Sequence, residues 1–383
     1  MRFPFVLLFA HVRKSWFRSL LTTLSVFVAM AIFGFLRTFI VGMETSLDAS
    51  SSNKLVTQSA ISLFSTLPLR IGDDLKEYPE VKAASDRTWF GGVYIDKSPE
   101  HVWSRFGCHP EEFRAVYGDE VDLPEDQWSQ WAQTKTACIV GKGLAEREKF
   151  EVGQTITLEG NLFRGNLDLT IVGIYASRTR AFDEQTLFMH WDYMNEVSKG
   201  LGGRHDRVST WTLLLNDEAA APALQARIDD AYEASDNRTR TLSLRAFRSQ
   251  FNSMWGNLPL FFTVIGAVVM TACLMVTANT MVLNARERVS EVGILKTLGF
   301  GPTKVALFSL VESLGLCLLG GALAIAAVAP IDGQNMMFVV AAVPPSTVAE
   351  ILGLAGLLGV LSGIAPAMMA SKLTITEALR KHA

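Results

Sequence analysis

The sequence predicts a membrane protein with four transmembrane α-helices and a large external α+β domain inserted between the first and second spans. Three observations predict it. Charge-poor apolar runs recur four times, residues 43–250 between the first two have ordinary soluble composition, and Lys and Arg collect in the segments that a four-span chain places on one side. Of 383 residues, 49% are apolar and only 19% charged, and the mean hydropathy is +0.24. A soluble domain carries about 25% charge, so part of this chain must avoid water. The same figures exclude disorder and collagen-like repeats. A net charge of −3 gives no basic field for nucleic acid. Four cysteines without a CxxC exclude a disulfide-dense scaffold and the common zinc modules.

A spanning helix needs about 20 mostly apolar residues. Ser19 to Leu36 carries no charge and ends at Arg37, Ser249 to Ala285 carries none, Val305 to Ile331 holds only Glu312, and Ile351 to Ser371 is again charge-free. The spans are therefore placed at 19–42, 251–283 (with an external extension at its start), 305–331 and 351–371. The first run follows basic residues, as in a signal peptide. It is too long for that, and no small-residue cleavage site follows closely.

Orientation comes from the short segments. Arg2, Arg13, Lys14 and Arg18 precede the first span, Arg286, Arg288, Lys296 and Lys304 lie in 284–304, and Lys372, Arg380 and Lys381 lie in the tail 372–383. The connection 332–350 has no base. The positive-inside rule puts all three basic segments, and both termini, in the cytoplasm. Residues 43–250, with 23 Lys+Arg and 32 Asp+Glu, then lie outside.

The external domain reads as mixed α and β. Ala137 to Val140, Thr155 to Gly160, Leu167 to Tyr175 and Ser209 to Leu215 have strand patterning, while Leu144–Phe150 and Ala219–Glu233 read as helices. Residues 89–133, rich in Trp, Pro and acids, read as an insertion. No G-x-x-x-x-G-K-[ST], H-E-x-x-H or G-x-S-x-G occurs, so no enzyme active site is legible. His109, beside Cys108, lacks the spacing of a metal site and reads as a surface histidine. Cys108 and Cys138 are either a disulfide or two free thiols, while Cys273 and Cys317 fall in spans as small packing residues. Arg37 lies near a span end and is expected to snorkel to the interface. Glu312 is an intramembrane charge, either functional or snorkelling.

The segment from Asn284 to Gly299 stands out. Val289, Val292, Leu295 and Leu298 recur every third residue as the stripe of a helix over Arg286–Leu298. Arg286, Glu287, Arg288, Glu291 and Lys296 take the remaining surface. Gly299 suits a left-handed helix end, and Pro302 blocks resumption. Gly293 inside a helix costs roughly 1 kcal/mol relative to Ala, which suggests a packing reason.

Glu287-Arg-Val-Ser-Glu-Val-Gly-Ile-Leu-Lys-Thr-Leu-Gly299 resembles the E-R-x-x-E-I-G-x-L-R-A-L-G signature of MacB/FtsX-type ABC transporter permeases. Arg18-Ser-Leu-Leu-Thr-Thr-Leu24 resembles their approach to the first span. Ile139-Val-Gly-Lys-Gly-Leu-Ala145, Val152-Gly-Gln-Thr-Ile156 and Thr170-Ile-Val-Gly-Ile-Tyr175 resemble their periplasmic core domain. The closing Pro366 to Arg380 segment resembles their P-x-x-x-A-x-x-x-x-P-x-E-A-L-R pattern, with Ile375 where Pro is usual.

The resemblance implies a permease in a bacterial inner membrane with its large domain in the periplasm. It implies a homodimer, with ABC ATPase subunits that are separate chains carrying the ATP and Mg; this chain itself is expected to bind no cofactor. Residues 286–299 would form the coupling helix, docked on the ATPase. The implied work is mechanotransmission, in which cytoplasmic ATP binding moves the periplasmic domains to drive export through a membrane-fusion adaptor and an outer-membrane channel. Alternatives of similar architecture are Lol-type lipoprotein or lipid extraction and FtsX-like signalling to a periplasmic partner.

Overall fold

A computed structural model describes residues 16–48, 52–96, 98, 101–160, 165–179, 182–203, 205–253, 256–336 and 339–374. The tail motif from Ile375 onward and the bases Arg2, Arg13 and Lys14 lie outside the described residues. The chain divides into two units, Thr45–Gly256 and the combination of Met1–Glu44 with Asn257–Ala383.

The second of these is a bundle of four long apolar helices, Trp16–Asp48, Leu258–Glu287, Pro302–Val328 and Pro345–Lys372. All four are long and apolar enough to cross a membrane. Three begin with proline in the first turn, where its missing N–H costs nothing. The second span starts later than its composition suggests. Residues 251–253 end a separate helix, Leu244–Ser253, in the other unit. Gly256 then turns the chain at φ +81°, and the Asn257 side chain accepts the Leu260 N–H at 3.1 Å as an N-cap.

Spans three and four pack closely because small residues face each other. A Cβ on Gly359 would stand 2.8 Å from Leu314 Cα, and Ser313 and Ser362 hydroxyls share a hydrogen bond of 2.9 Å. Small residues and hydroxyl pairs are how helices associate where lipid removes the hydrophobic incentive. Val26, Met30, Cys273, Cys317, Ala324 and Ile351 are buried in the bundle core.

The external unit is built on thirteen strands. These are β1 (Lys54–Ser59), β2 (Leu67–Pro68), β3 (Val81–Trp89), β4 (Gly92–Val93), β5 (Ser104–Cys108), β6 (Val121–Asp122) and β7 (Ala137–Gly141). The rest are β8 (Thr155–Gly160), β9 (Asn166–Ser177), β10 (Thr186–His190), β11 (Arg207–Val208), β12 (Thr210–Leu215) and β13 (Thr239–Ser243). The main sheet runs β13-β1-β12-β3-β5-β10-β7-β9-β8-β4, with β6 added on β9. Most neighbours are antiparallel, but β10 with β5 and β7 with β9 are parallel. β7 is buried along its whole length, as a central strand between covered faces must be. β8 alternates and leaves one face wet.

Two sequence readings gain detail here. Residues 89–133, read as an insertion within the domain, supply β5, which sits between β3 and β10 in the sheet. Their helices Pro110–Tyr117 and Glu125–Gln133 cover the sheet with Phe113, Trp128 and Trp131. Cys108 and Cys138 are buried free thiols, not a disulfide. They stand on β5 and β7, with β10 between them: Cys108 pairs with His190, and Cys138 with Met189. Two strand spacings are about 9–10 Å, beyond the Cα separation a disulfide closes.

Candidate functional site

The expected single helix over 286–298 is two helices. The second span continues through Arg286 and Glu287, and the chain breaks at Arg288, whose φ −93° and ψ 14° are not helical. A short helix, Val289–Thr297, follows. It ends in paired bonds, Phe300 N–H to Leu295 O at 3.1 Å and Gly299 N–H to Lys296 O at 3.1 Å, with Gly299 at φ +89°. This is a Schellman closure, and only glycine takes its left-handed position cheaply. Gly301 and Pro302 start the third span immediately afterwards.

The break turns Arg288 inward. Its Nη1 lies 2.5 Å from Glu312 Oε2, with side-chain exposures of 18% and 8%. Glu312 therefore does not snorkel: its carboxylate is held inside the bundle by the loop's own guanidinium. The two line a cleft with Asn284, Glu291, Val292 and Leu295. Its cavity of about 40 Å³ has room for a few waters and is far below the 300–1,000 Å³ of a drug-sized ligand site.

Lys296 fastens the far end of the short helix. Its Nζ donates to Ser371 O at 2.9 Å and Leu373 O at 2.6 Å, carbonyls that the end of the fourth span leaves without helical partners. A cation there also meets the negative end of the helix dipole. Glu287 pairs with Arg18 at the start of the first span. Arg286 is exposed and Gly293 buried. Val292 and Leu295 are half-buried and face the cleft between the short helix and the bundle. The apolar side chains left exposed are Ile294 and Leu298, at 54% and 62%.

At the bundle's other end, Arg37 does not simply snorkel. Its Nε and Nη2 grip Glu350 at 2.8 and 3.1 Å in a two-pronged contact, the geometry a guanidinium makes best. Sequence reasoning missed Glu350, Arg18 and the anchoring role of Lys296. The one legible signal was a pair of lone opposite charges, Arg37 and Glu350, at the external ends of their apolar runs.

Comparison with known proteins agrees with this architecture. Residues 19–231 match the MacB-like periplasmic core domain, and residues 263–375 match the FtsX-like permease C-terminal domain. An uncharacterized ABC transporter permease of Methanocaldococcus jannaschii is 26% identical over 307 residues, covering 76% of this chain and 74% of the relative. The macrolide export ATP-binding/permease protein MacB 1 of Yersinia pestis is 25% identical over 321 residues, covering 78% of this chain and 45% of the relative. The chain thus spans less than half the length of that second relative. The periplasmic region of MacB from Actinobacillus actinomycetemcomitans aligns over 55% of this chain and 96% of that one, with 9% identity and a TM-score of 0.39. The external unit up to residue 231 falls in the first matched region, most of the three later helices fall in the second, and the chain belongs to the MacB/FtsX-like family of ABC transporter permeases.

Proposed function

We propose that this chain is the permease of an export system in a bacterial inner membrane, working as a homodimer with ABC ATPase subunits and a membrane-fusion adaptor that leads to an outer-membrane channel. ATP binding on the cytoplasmic side would be passed through the bundle to the periplasmic domain, whose motion drives the cargo outward. One observation carries this reading. The short helix Val289–Thr297 is bolted to two different spans, through Arg288 to Glu312 in the third and through Lys296 to the end of the fourth. A push on its exposed face, Ile294 and Leu298, would pass through these contacts to both spans.

The test is reconstitution with the ATPase in lipid nanodiscs. Ile294→Asp with Leu298→Asp should abolish permease-stimulated ATP hydrolysis and transport while leaving the bundle folded, because both side chains already face out. Hydrolysis and transport at wild-type levels would overturn the proposed coupling face.

A further inference from the structure

Far from the coupling segment in sequence, the external domain gathers a second set of polar groups. Asp86 lies near the end of β3, His109 directly follows β5, and Glu112 lies in the first turn of the helix Pro110–Tyr117. One donor atom from each of the three stands within 4.8 Å of the others. The histidine is not at the surface, as its sequence context suggested. Its ring is half-buried and lies against Trp191, with centroids 5.1 Å apart.

The Asp86 side chain is fully enclosed. Its Oδ1 accepts both the His109 backbone N–H at 2.9 Å and the ring Nδ1–H at 2.8 Å. Its Oδ2 is sealed from solvent and has no hydrogen-bond donor among the described residues. Glu112 repeats the pattern: Oε1 takes the Lys76 ammonium, while Oε2 is sealed and has no donor among the described residues. Buried carboxylate oxygens are almost always satisfied, and two orphans beside one imidazole require an explanation.

We propose that Asp86, His109 and Glu112 form a binding site for a divalent transition-metal ion of the zinc or manganese class. The ion replaces the proton on His109 Nδ1, and Asp86 and Glu112 turn their open oxygens, Oδ2 and Oε2, to supply its negative ligands. An imidazole nitrogen with two carboxylates suits these metals, whereas calcium takes six to eight oxygens. Metal–donor bonds of about 2.0–2.2 Å put donors roughly 3–4 Å apart, so side-chain movements of about 1 Å close the site. Asp192 Oδ1 lies 3.7 Å from His109 Nε2 and is placed to hold the other ring nitrogen, as a carboxylate commonly does behind a metal-bound histidine. The bound ion would tie β3, the end of β5 and the helix Pro110–Tyr117 into one rigid block.

The test uses the full-length chain in detergent, stripped with a chelator and titrated with zinc alone by calorimetry, with cobalt as an optical probe. The wild type should take one equivalent of zinc at this site with micromolar or tighter affinity and give a cobalt absorption band in the visible. His109→Gln and Glu112→Gln should each weaken zinc binding by about tenfold or more and remove the band, with folding checked by circular dichroism. His101→Gln, which alters the separate contact of His101 with Glu148, should change neither. No zinc uptake by the wild type, wild-type affinity in a folded Glu112→Gln protein, or loss of binding only in His101→Gln would overturn the assignment.

Discussion

Arg288, the residue that breaks the helix between the second span and the short cytoplasmic helix, is ion-paired at 2.5 Å with Glu312, a buried carboxylate of the third span. The break and the pair depend on each other. A continuous helix would carry the guanidinium elsewhere and leave Glu312 charged and alone. Removing one partner of a buried pair costs about 3–5 kcal/mol, whereas replacing both with apolar groups of similar size is often neutral. Glu312→Ala should therefore lower the melting temperature in detergent strongly. Arg288→Met with Glu312→Leu should recover most of that loss, yet still fail to stimulate ATP hydrolysis. Equal destabilisation by the single and double variants would contradict the pairing.

Lys296→Met removes the two bonds to the end of the fourth span. Hydrogen bonds to a charged group contribute about 1.5–3 kcal/mol, and this half-exposed site belongs at the low end. Hydrogen exchange should quicken in residues 289–297 while the first span is unchanged. Unaltered protection in 289–297 would show that the lysine is not an anchor.

Arg37 and Glu350 retain 30% and 38% exposure, so water competes with their contact. Glu350→Gln should cost no more than about 1 kcal/mol. A double-mutant cycle with Arg37→Gln, read from thermal unfolding, should give a coupling well below that of the Arg288–Glu312 pair.

Cys108 and Cys138 should resist chemistry in the folded chain. Burial pushes both thiols above the ordinary range, with the Asp86 charge adding to the effect at Cys108, and the thiolate is the reactive form. Alkylating reagent should label neither until denaturant is added. Mass analysis after mild oxidation should find no Cys108–Cys138 bridge.

His190 should make the external domain acid-sensitive. Burial lowers its pKa below the usual imidazole value, outweighing the hydrogen bond to Trp131 O and the charge of Asp192, with the charges of His109 and Lys135 pulling the same way as burial. The unfolded chain then binds the proton more readily. Stability contributed by the neutral ring is present above about pH 6.5 and is lost as pH falls through the lower folded value. Urea unfolding followed at Trp fluorescence should show this loss, and His190→Gln should flatten it. An unchanged slope in the variant would place the sensitivity on other groups.

The sequence by itself determined the four spans, their orientation and the presence of a mixed domain between the first two. Each of these rests on local quantities: the length of an apolar run, the bases beside it, and the alternation within a few residues. The signature from Glu287 to Gly299 added the family. Tertiary structure alone decided the partners. Arg288 finds Glu312 across 24 positions, and Lys296 finds the end of the fourth span across 75. Asp86 finds His109 across 23, while β10 separates two cysteines that the sequence could have joined. Periodicity fixes which face of an element is apolar, but which two faces meet is set by how all of them pack at once. The charges that join the short helix to the spans are positioned at that second step.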